Sequence, residues 1–259
     1  MIHKILADKP TKVFLLMACF FVANALIAEC IGGKLFSLEA ALGMVQHPFS
    51  LLGEDGLTYT LTAGVLLWPL EFIMTDVVNE YYGPKAVRRI SYIAVGLISY
   101  AFIMFFLAIK VPAEKSFWIG SQANEGVPDM QAAFSSIFGQ GMWIIFGSLI
   151  AFLVSQILDV WVFHRIKKIT GEKKVWLRAT GSTLVSQLID SFVVLFIAFK
   201  LGRGWSYQRV LAVGLVNYSY KATMAIVLTP LIYLIEGAIE RYLGEERVRE
   251  MKAAAMTVE

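Results

Sequence analysis

Long stretches almost free of charge constrain this chain more than any short motif in it. They fall at residues 13–31, 57–78, 90–109, 142–163, 179–199 and 210–235. Each approaches the ~20 predominantly apolar residues that an α-helix needs to cross the hydrocarbon core of a bilayer. Of 259 residues, 58% are hydrophobic and only 17% charged, where soluble domains average roughly 25% charged. A water-soluble globule of this size cannot hide that much apolar surface. Ordinary numbers of glycine and proline exclude collagen-like and disordered classes, and two cysteines exclude a disulfide scaffold. Cys19 and Cys30 share the first run; on one helix they lie about 16 Å apart, too far to bridge. The expected architecture is an all-α polytopic membrane protein, one six-helix domain over residues 1–259.

The first run follows Lys4, Lys9 and Lys12 and could be taken for a signal peptide, with Leu26-Ile27-Ala28-Glu29-Cys30 as a lipoprotein cleavage box. Glu29 stands where such a box needs a small residue, and the run exceeds the ~7 to 15 residues of a signal core, so a retained helix is expected. Positive charge then tests the alternation of loops. Sixteen lysines and arginines fall on one set: Lys4, Lys9, Lys12; Lys85, Arg88, Arg89; Arg165, Lys167, Lys168, Lys173, Lys174, Arg178; and Arg241, Arg247, Arg249, Lys252. Six fall on the other set, namely Lys34, Lys110, Lys115, Lys200, Arg203 and Arg209. Positive residues favour the cytoplasmic side, so both termini are expected there. The two long outside connections, 36–56 and 111–141, are expected either to shape a site or to lie as amphipathic segments on the membrane. The apolar stretch 132–138 leaves open an earlier start for the fourth helix.

Ionisable and amide groups inside these runs carry the functional information, because each costs about 2.5 to 3.5 kcal/mol at a helix centre unless it meets a partner, water or a substrate. The second run holds Glu71, Thr75, Asp76 and Asn79. At 100° per residue the first, second and last share an arc of about 80°, with Asp76 about 60° beyond and Glu80 on the other side. The fourth and fifth runs carry a literal repeat, Leu153-Val154-Ser155-Gln156 and Leu184-Val185-Ser186-Gln187, each with an Asp three residues on, at Asp159 and Asp190. Antiparallel neighbours can place two such patterns face to face about a local twofold axis. The serines suit interhelical hydrogen bonding; the carboxylates suit function, since packing alone needs no ionisable group in lipid.

Other residues have plainer readings. Glu29 is expected near the outer end of its helix in reach of water, and Glu236 at a surface end. Arg178 either snorkels or neutralises Asp159, and Lys221 is placed to pair with an intramembrane carboxylate. Trp68, Phe72, Trp161 and Trp205 are able to stack on a planar ligand, although most aromatic residues of bundles serve packing. His3, His47 and His164 show no metal-ligand spacing. The chain lacks G-x-x-x-x-G-K-[ST], H-E-x-x-H and G-x-S-x-G, so the simplest ATPase, metalloprotease and hydrolase readings are excluded.

Three segments together resemble a known family. They are Thr75-Asp76-Val77-Val78-Asn79-Glu80-Tyr81-Tyr82-Gly83-Pro84-Lys85-Ala86, Ser155-Gln156-Ile157-Leu158-Asp159-Val160, and the stretch from Trp176-Leu177-Arg178-Ala179-Thr180-Gly181-Ser182 to Ser186-Gln187-Leu188-Ile189-Asp190-Ser191. The chain is similar here to the queuosine-precursor transporters, also described as vitamin uptake transporters. The resemblance implies a multi-pass protein of the bacterial inner membrane that imports 7-deazaguanine precursors for tRNA modification by salvage. It implies no enzyme activity, no cofactor, no metal and no nucleic-acid partner. Its partners are then the deazapurine substrate and the bilayer, with an oligomer or coupling subunits left open.

A deazaguanine offers paired N–H donors on one edge, which a carboxylate accepts, and a carbonyl, which an amide can meet. Glu71 and Asp190 are the leading candidates for the donor edge, followed by Asp159 and Asp76. Gln156, Gln187 and Asn79 are candidates for the carbonyl and ring nitrogen, and Phe72 or Trp161 for stacking. Arg178 and Lys221 are assigned to coupling or helix pairing. Two transport mechanisms stay open, a stand-alone secondary carrier and the six-helix substrate-binding component of an energy-coupling-factor system. The first helix lacks the Ala-x-x-x-Ala pattern of the latter group. An intramembrane enzyme is the remote alternative.

Overall fold

A computed structural model describes residues 8–139, 141–171 and 174–257. His3, Lys4 and Lys173 lie outside the described residues. The chain opens with α1, Lys9–Ile31, whose first turn is capped when Asp8 accepts the Thr11 amide at 3.1 Å, with Pro10 in the first turn. The Thr11 hydroxyl and amide hold the Asp8 carboxyl below its usual range. Then follow α2 (Trp68–Tyr82), α3 (Pro84–Lys110), α4 (Met130–Phe138) and α5 (Met142–Thr170). The helix α6 (Val175–Leu195) runs on through a π-helical turn, Phe196–Leu201. The chain ends with α7 (Tyr207–Val227), α8 (Thr229–Leu243) and α9 (Glu245–Thr257).

Five helical stretches among the described residues are long and apolar enough to cross a membrane: Lys9–Ile31, Pro84–Lys110, Met130–Thr170, Val175–Leu201 and Tyr207–Val227. The protein is thus a multi-pass helical membrane protein, and two of the expected runs have a different form. The run at 57–78 begins as strand and 3-10 turn (Ala63–Leu66), and only its later part is helical, in α2. At about 1.5 Å per residue α2 is roughly 22 Å long, shorter than a ~30 Å hydrocarbon core. The run at 210–235 is interrupted at Leu228, because Pro230 in the first turn of α8 has no amide proton and its ring blocks continuation of the preceding helix. The apolar stretch at 132–138 is helical, but Gly139 ends it as the separate helix α4.

The connection before α2 is β-structured, a departure from the all-α expectation. Strand β1 (Leu35–Ser37) pairs antiparallel with β4 (Thr60–Thr62), and β2 (Phe49–Leu51) with β3 (Glu54–Leu57) through a turn at Leu52 and Gly53, both with positive φ. The Tyr59 amide donates to Glu39 at 2.9 Å and holds that carboxyl below its usual range. This hairpin cap docks on α7: Leu61 and Val65 are buried with Tyr220, and Ser206 donates to Glu54 at 3.3 Å.

The bundle is organised around α2. Every residue from Glu71 to Tyr81 is buried, so the helix has no solvent or lipid face. Met17, Phe21 and Ala25 of α1, Phe152, Val160 and Phe163 of α5, and Ile232, Ile239 and Leu243 of α8 share its apolar core. The final helix α9 closes over its end, where the Ala255 backbone approaches the position of a Cβ on Gly83 to 3.1 Å. The 3-10 turn is seated as closely on α1: a Cβ on Gly64 would stand 2.5 Å from the Ala28 carbonyl oxygen. Lys9 donates to the Tyr242 carbonyl at 3.1 Å, and Tyr82 to the Pro10 carbonyl at 2.7 Å. The start of α1 and the ends of α2 and α8 therefore meet at one end of the bundle, here termed the basic end.

An ion cluster fixes that end. Glu80 at the close of α2 accepts Lys167 of α5 at 2.9 Å through one oxygen and Arg178 of α6 at 2.8 Å through the other. Arg178 also donates to the Gly171 carbonyl at 2.9 Å, tying down the α5–α6 turn. Arg178 therefore does not snorkel, and its carboxylate partner is Glu80 rather than Asp159. Glu80 lies across the helix from Glu71, and it is buried because α2 is covered on that side as well.

Replacing Glu80 with Gln leaves two buried cations short of their carboxylate, and the expected loss is about 3 to 5 kcal/mol; thermal unfolding in detergent measures it, and an unchanged midpoint would refute the role of the cluster. Gly64→Ala should lower the same midpoint through overpacking worth about 1 to 3 kcal/mol. Gly96→Ala, where a Cβ meets nothing within 4 Å, should leave it unchanged or raise it slightly.

Candidate functional site

Helix α2 brings most of the expected polar residues into one buried column. Asn24 of α1 donates to Glu71 Oε2 at 3.0 Å and to the Leu67 carbonyl at 3.1 Å. Thr75 donates to Gln156 of α5 at 3.2 Å, and Asn79 meets His164 of α5 at 2.8 Å. Asp159 accepts Ser186 of α6 at 3.0 Å. All of these polar residues but the half-buried His164 are buried, as the low dielectric of a membrane requires of their side chains.

The repeated sequence pattern has matching burial but unequal partners. Ser155 and Ser186 are both 0% exposed, and Gln156 and Gln187 both 2%. The antiparallel register that places Ser186 on Asp159 also sets Ser155 opposite Asp190. Close approach of Gly147 to the Ala198 backbone, 3.2 Å from an added Cβ, follows the same register. The reciprocal serine contact is replaced, because Asp190 turns to α7 and forms an ion pair with Lys221. Ser155 donates to the Phe152 carbonyl of its own helix instead. The twofold arrangement anticipated from the repeat is therefore only half realised.

Between α2, α6, α7 and α8 lies a narrow cleft of about 20 Å³, with Trp68, Phe72, Asp76, Thr183, Gln187 and Lys221 on its walls. It combines aromatic surface with polar atoms that lack partners. Asp76 Oδ1 and both the oxygen and the nitrogen of the Gln187 amide are buried without a hydrogen-bond partner among the described residues. Leaving such groups unsatisfied costs about 1 to 3 kcal/mol each, so a ligand able to satisfy them has a ready source of affinity. A larger groove of about 590 Å³ runs along α1, α2 and α8, but its walls are apolar apart from Lys12 and Tyr242. That groove offers no convergent set of polar groups with which to orient a polar substrate.

Of the expected binding residues, Phe72, Asp76 and Gln187 line the cleft. Glu71, Asn79, Gln156 and Asp159 stand in the column behind it, and Asp190 reaches it only through its partner Lys221. Trp161 is elsewhere: it is 56% exposed, with the Arg165 guanidinium 5.2 Å from its ring centroid. Glu29 does not reach water; it is buried and accepts Ser148 at 2.8 Å. Glu236 is likewise buried rather than at a surface, 3.6 Å from Lys252 of α9.

Asn24, His164 and Lys167 join the expected residues. Lys167 was legible in principle, since eleven residues after Gln156 it returns to within about 20° of the same helical face.

Known proteins place these features in context. A family model described as "putative vitamin uptake transporter" matches residues 62–235, which takes in the column, the cleft and the repeat. The chain is 27% identical over 214 residues to the "Queuosine precursor transporter" of Escherichia coli (strain K12), covering 82% of this chain and 87% of that protein. It is 36% identical over 146 residues to the "Probable queuosine precursor transporter" of Bacillus subtilis (strain 168), covering 56% of this chain and 58% of that protein. No solved structure matches the chain. The family match spans well over half of the sequence and the helices that build the cleft, and the chain is accordingly a member of the vitamin uptake transporter family.

Proposed function

We propose that this protein imports queuosine precursors, 7-deazaguanine bases, across the bacterial inner membrane for salvage into tRNA. The observation that carries the proposal is the cleft itself. Aromatic side chains, a carboxylate and an amide with both ends open converge there, inside a membrane bundle whose relatives bear that transport name. A planar, hydrogen-bonding base suits such walls, with Trp68 or Phe72 against its face and polar groups at its edge. The reading as an intramembrane enzyme falls with the family assignment.

In this reading the chain makes six crossings with both termini cytoplasmic. The 3-10 turn and α2 together form the second crossing, and α7 with α8 the sixth. The meeting of the first and last helices at the basic end and the excess of positive charge there support it. The column behind the cleft, from Glu71 through Asn79, Gln156 and Asp159, holds α2 in place and is the candidate route for a coupling proton. Glu80, Lys167 and Arg178 close the basic end, so release into the cytoplasm requires that cluster to part.

Purified protein in liposomes should take up a labelled precursor, and Gln187→Leu should lower uptake about tenfold, equivalent to ~1.4 kcal/mol, with folded protein retained. Binding without flux under any ion gradient would instead favour a substrate-binding component that needs separate ATPase and coupling subunits. Topology is checked separately in a cysteine-free background: Glu250→Cys should be labelled from the cytoplasm and Ser121→Cys from outside. Labelling of both from one side would defeat the six-crossing arrangement.

A further inference from the structure

We propose that Asp76 is the specificity residue of the cleft, its carboxylate accepting the ring N–H and the exocyclic amino group of a 2-amino-6-oxo base. The proposal rests on the transport reading above and names the atoms that select the substrate. The other carboxylates of the bundle have partners or stand away from the cleft: Glu29 accepts Ser148, Glu236 lies 3.6 Å from Lys252, and the open oxygens of Glu71 and Asp159 belong to the column behind it. Glu71 accepts Asn24, Asp159 accepts Ser186, Glu80 is held between Lys167 and Arg178, and Asp190 faces Lys221. Asp76 is on the cleft wall, 3% exposed, and presents Oδ1 without a partner among the described residues.

The chemistry follows from donor and acceptor patterns. An ionised carboxylate offers two parallel acceptors and no donor. The edge of a guanine-type base that carries its ring N–H and 2-amino group offers two parallel donors at matching spacing, so the pair is bidentate and charge-assisted. Removing the 2-amino group leaves one carboxylate oxygen buried and unsatisfied. Replacing that group with a carbonyl sets acceptor against acceptor, which repels. Gln187 across the cleft has an amide nitrogen free to donate to the 6-oxo group and an oxygen left for a donor elsewhere on the base. Trp68 and Phe72, with ring centroids 6.4 Å apart, supply the apolar wall.

The inference predicts an exchange of specificity as well as a loss. In Asp76→Asn one acceptor becomes a donor. The side chain then matches a 2,6-dioxo base, accepting the ring N–H and donating to the 2-oxo group. Equilibrium binding to the full-length protein in detergent, with 7-deazaguanine, 7-deazahypoxanthine and 7-deazaxanthine as the three ligands, provides the test. The wild type should prefer deazaguanine to deazahypoxanthine by tenfold or more, and deazaxanthine should bind more weakly still. Asp76→Asn should lose tenfold or more for deazaguanine and gain affinity for deazaxanthine, reversing their order.

Equal wild-type affinity for deazaguanine and deazahypoxanthine would overturn the assignment, and that arm needs no folded variant. A folded Asp76→Asn that keeps the wild-type order would overturn it equally. In both cases deazaguanine still binds, so the transport reading stands. A wild type that binds no deazaguanine would defeat that reading and this inference together.

Discussion

Enclosing an acidic helix within a membrane protein is the constraint on which the rest of the structure depends. Helix α2 carries Glu71, Asp76, Asn79 and Glu80 in fifteen residues, too polar to face lipid and too short to span it alone. The remaining helices solve this by surrounding it. Apolar residues of α1, α3, α5 and α8 pack against it, the cleft lies along its remaining side, and α9 covers the end at Gly83. This accounts for a C-terminal helix that is otherwise strongly polar: Val248 and Ala255 are the buried contacts that α9 contributes. It also accounts for the polar contacts found along α2, where Glu71 and Thr75 each meet an amide, Asn79 an imidazole, and Glu80 at the basic end two cations.

Hydropathy revealed the membrane class and the approximate positions of α1, α3, α5, α6 and α7, because those helices are long and predominantly apolar. It could not reveal backbone continuity. The runs at 57–78 and 210–235 have membrane-like composition, yet the first enters through strands and a 3-10 turn and the second breaks before Pro230. A sliding composition measure is blind to both, although Pro230 was a local signal for the second. The β-hairpins of residues 35–62 are shorter than any period-based reading resolves, with no strand exceeding four residues.

The site was legible as chemistry before it was legible as geometry. Glu71, Asp76, Asn79, Gln156, Asp159 and Gln187 are buried, as polar groups in apolar runs should be, but Glu29 and Glu236 are buried against expectation, and the partners of all of them depend on tertiary packing that no spacing encodes. Assigning one polar arc to α2 separated Glu80 from Asn79, a distinction that vanishes once every face of the helix is covered. Trp161 shows the converse: aromatic chemistry alone suggested stacking, while the helix turns that ring outward beside Arg165.

The near-identical patterns of α5 and α6 show how one sequence motif acquires two roles. Facing Ser186, Asp159 joins α5 to α6; facing Lys221, Asp190 joins α6 to α7. The difference arises because only the second motif has a lysine-bearing helix as its next neighbour. With Lys221 engaged by Asp190, and Lys167 and Arg178 by Glu80, these three cations already face carboxylates when Asp76 meets the cleft. A ligand that satisfies Asp76 with N–H donors needs no cation of its own and displaces none of these pairs. Selection by donor pattern is then separable from the ion pairs that hold the helices together: binding at Asp76 leaves them intact, and only release at the basic end requires one cluster to part.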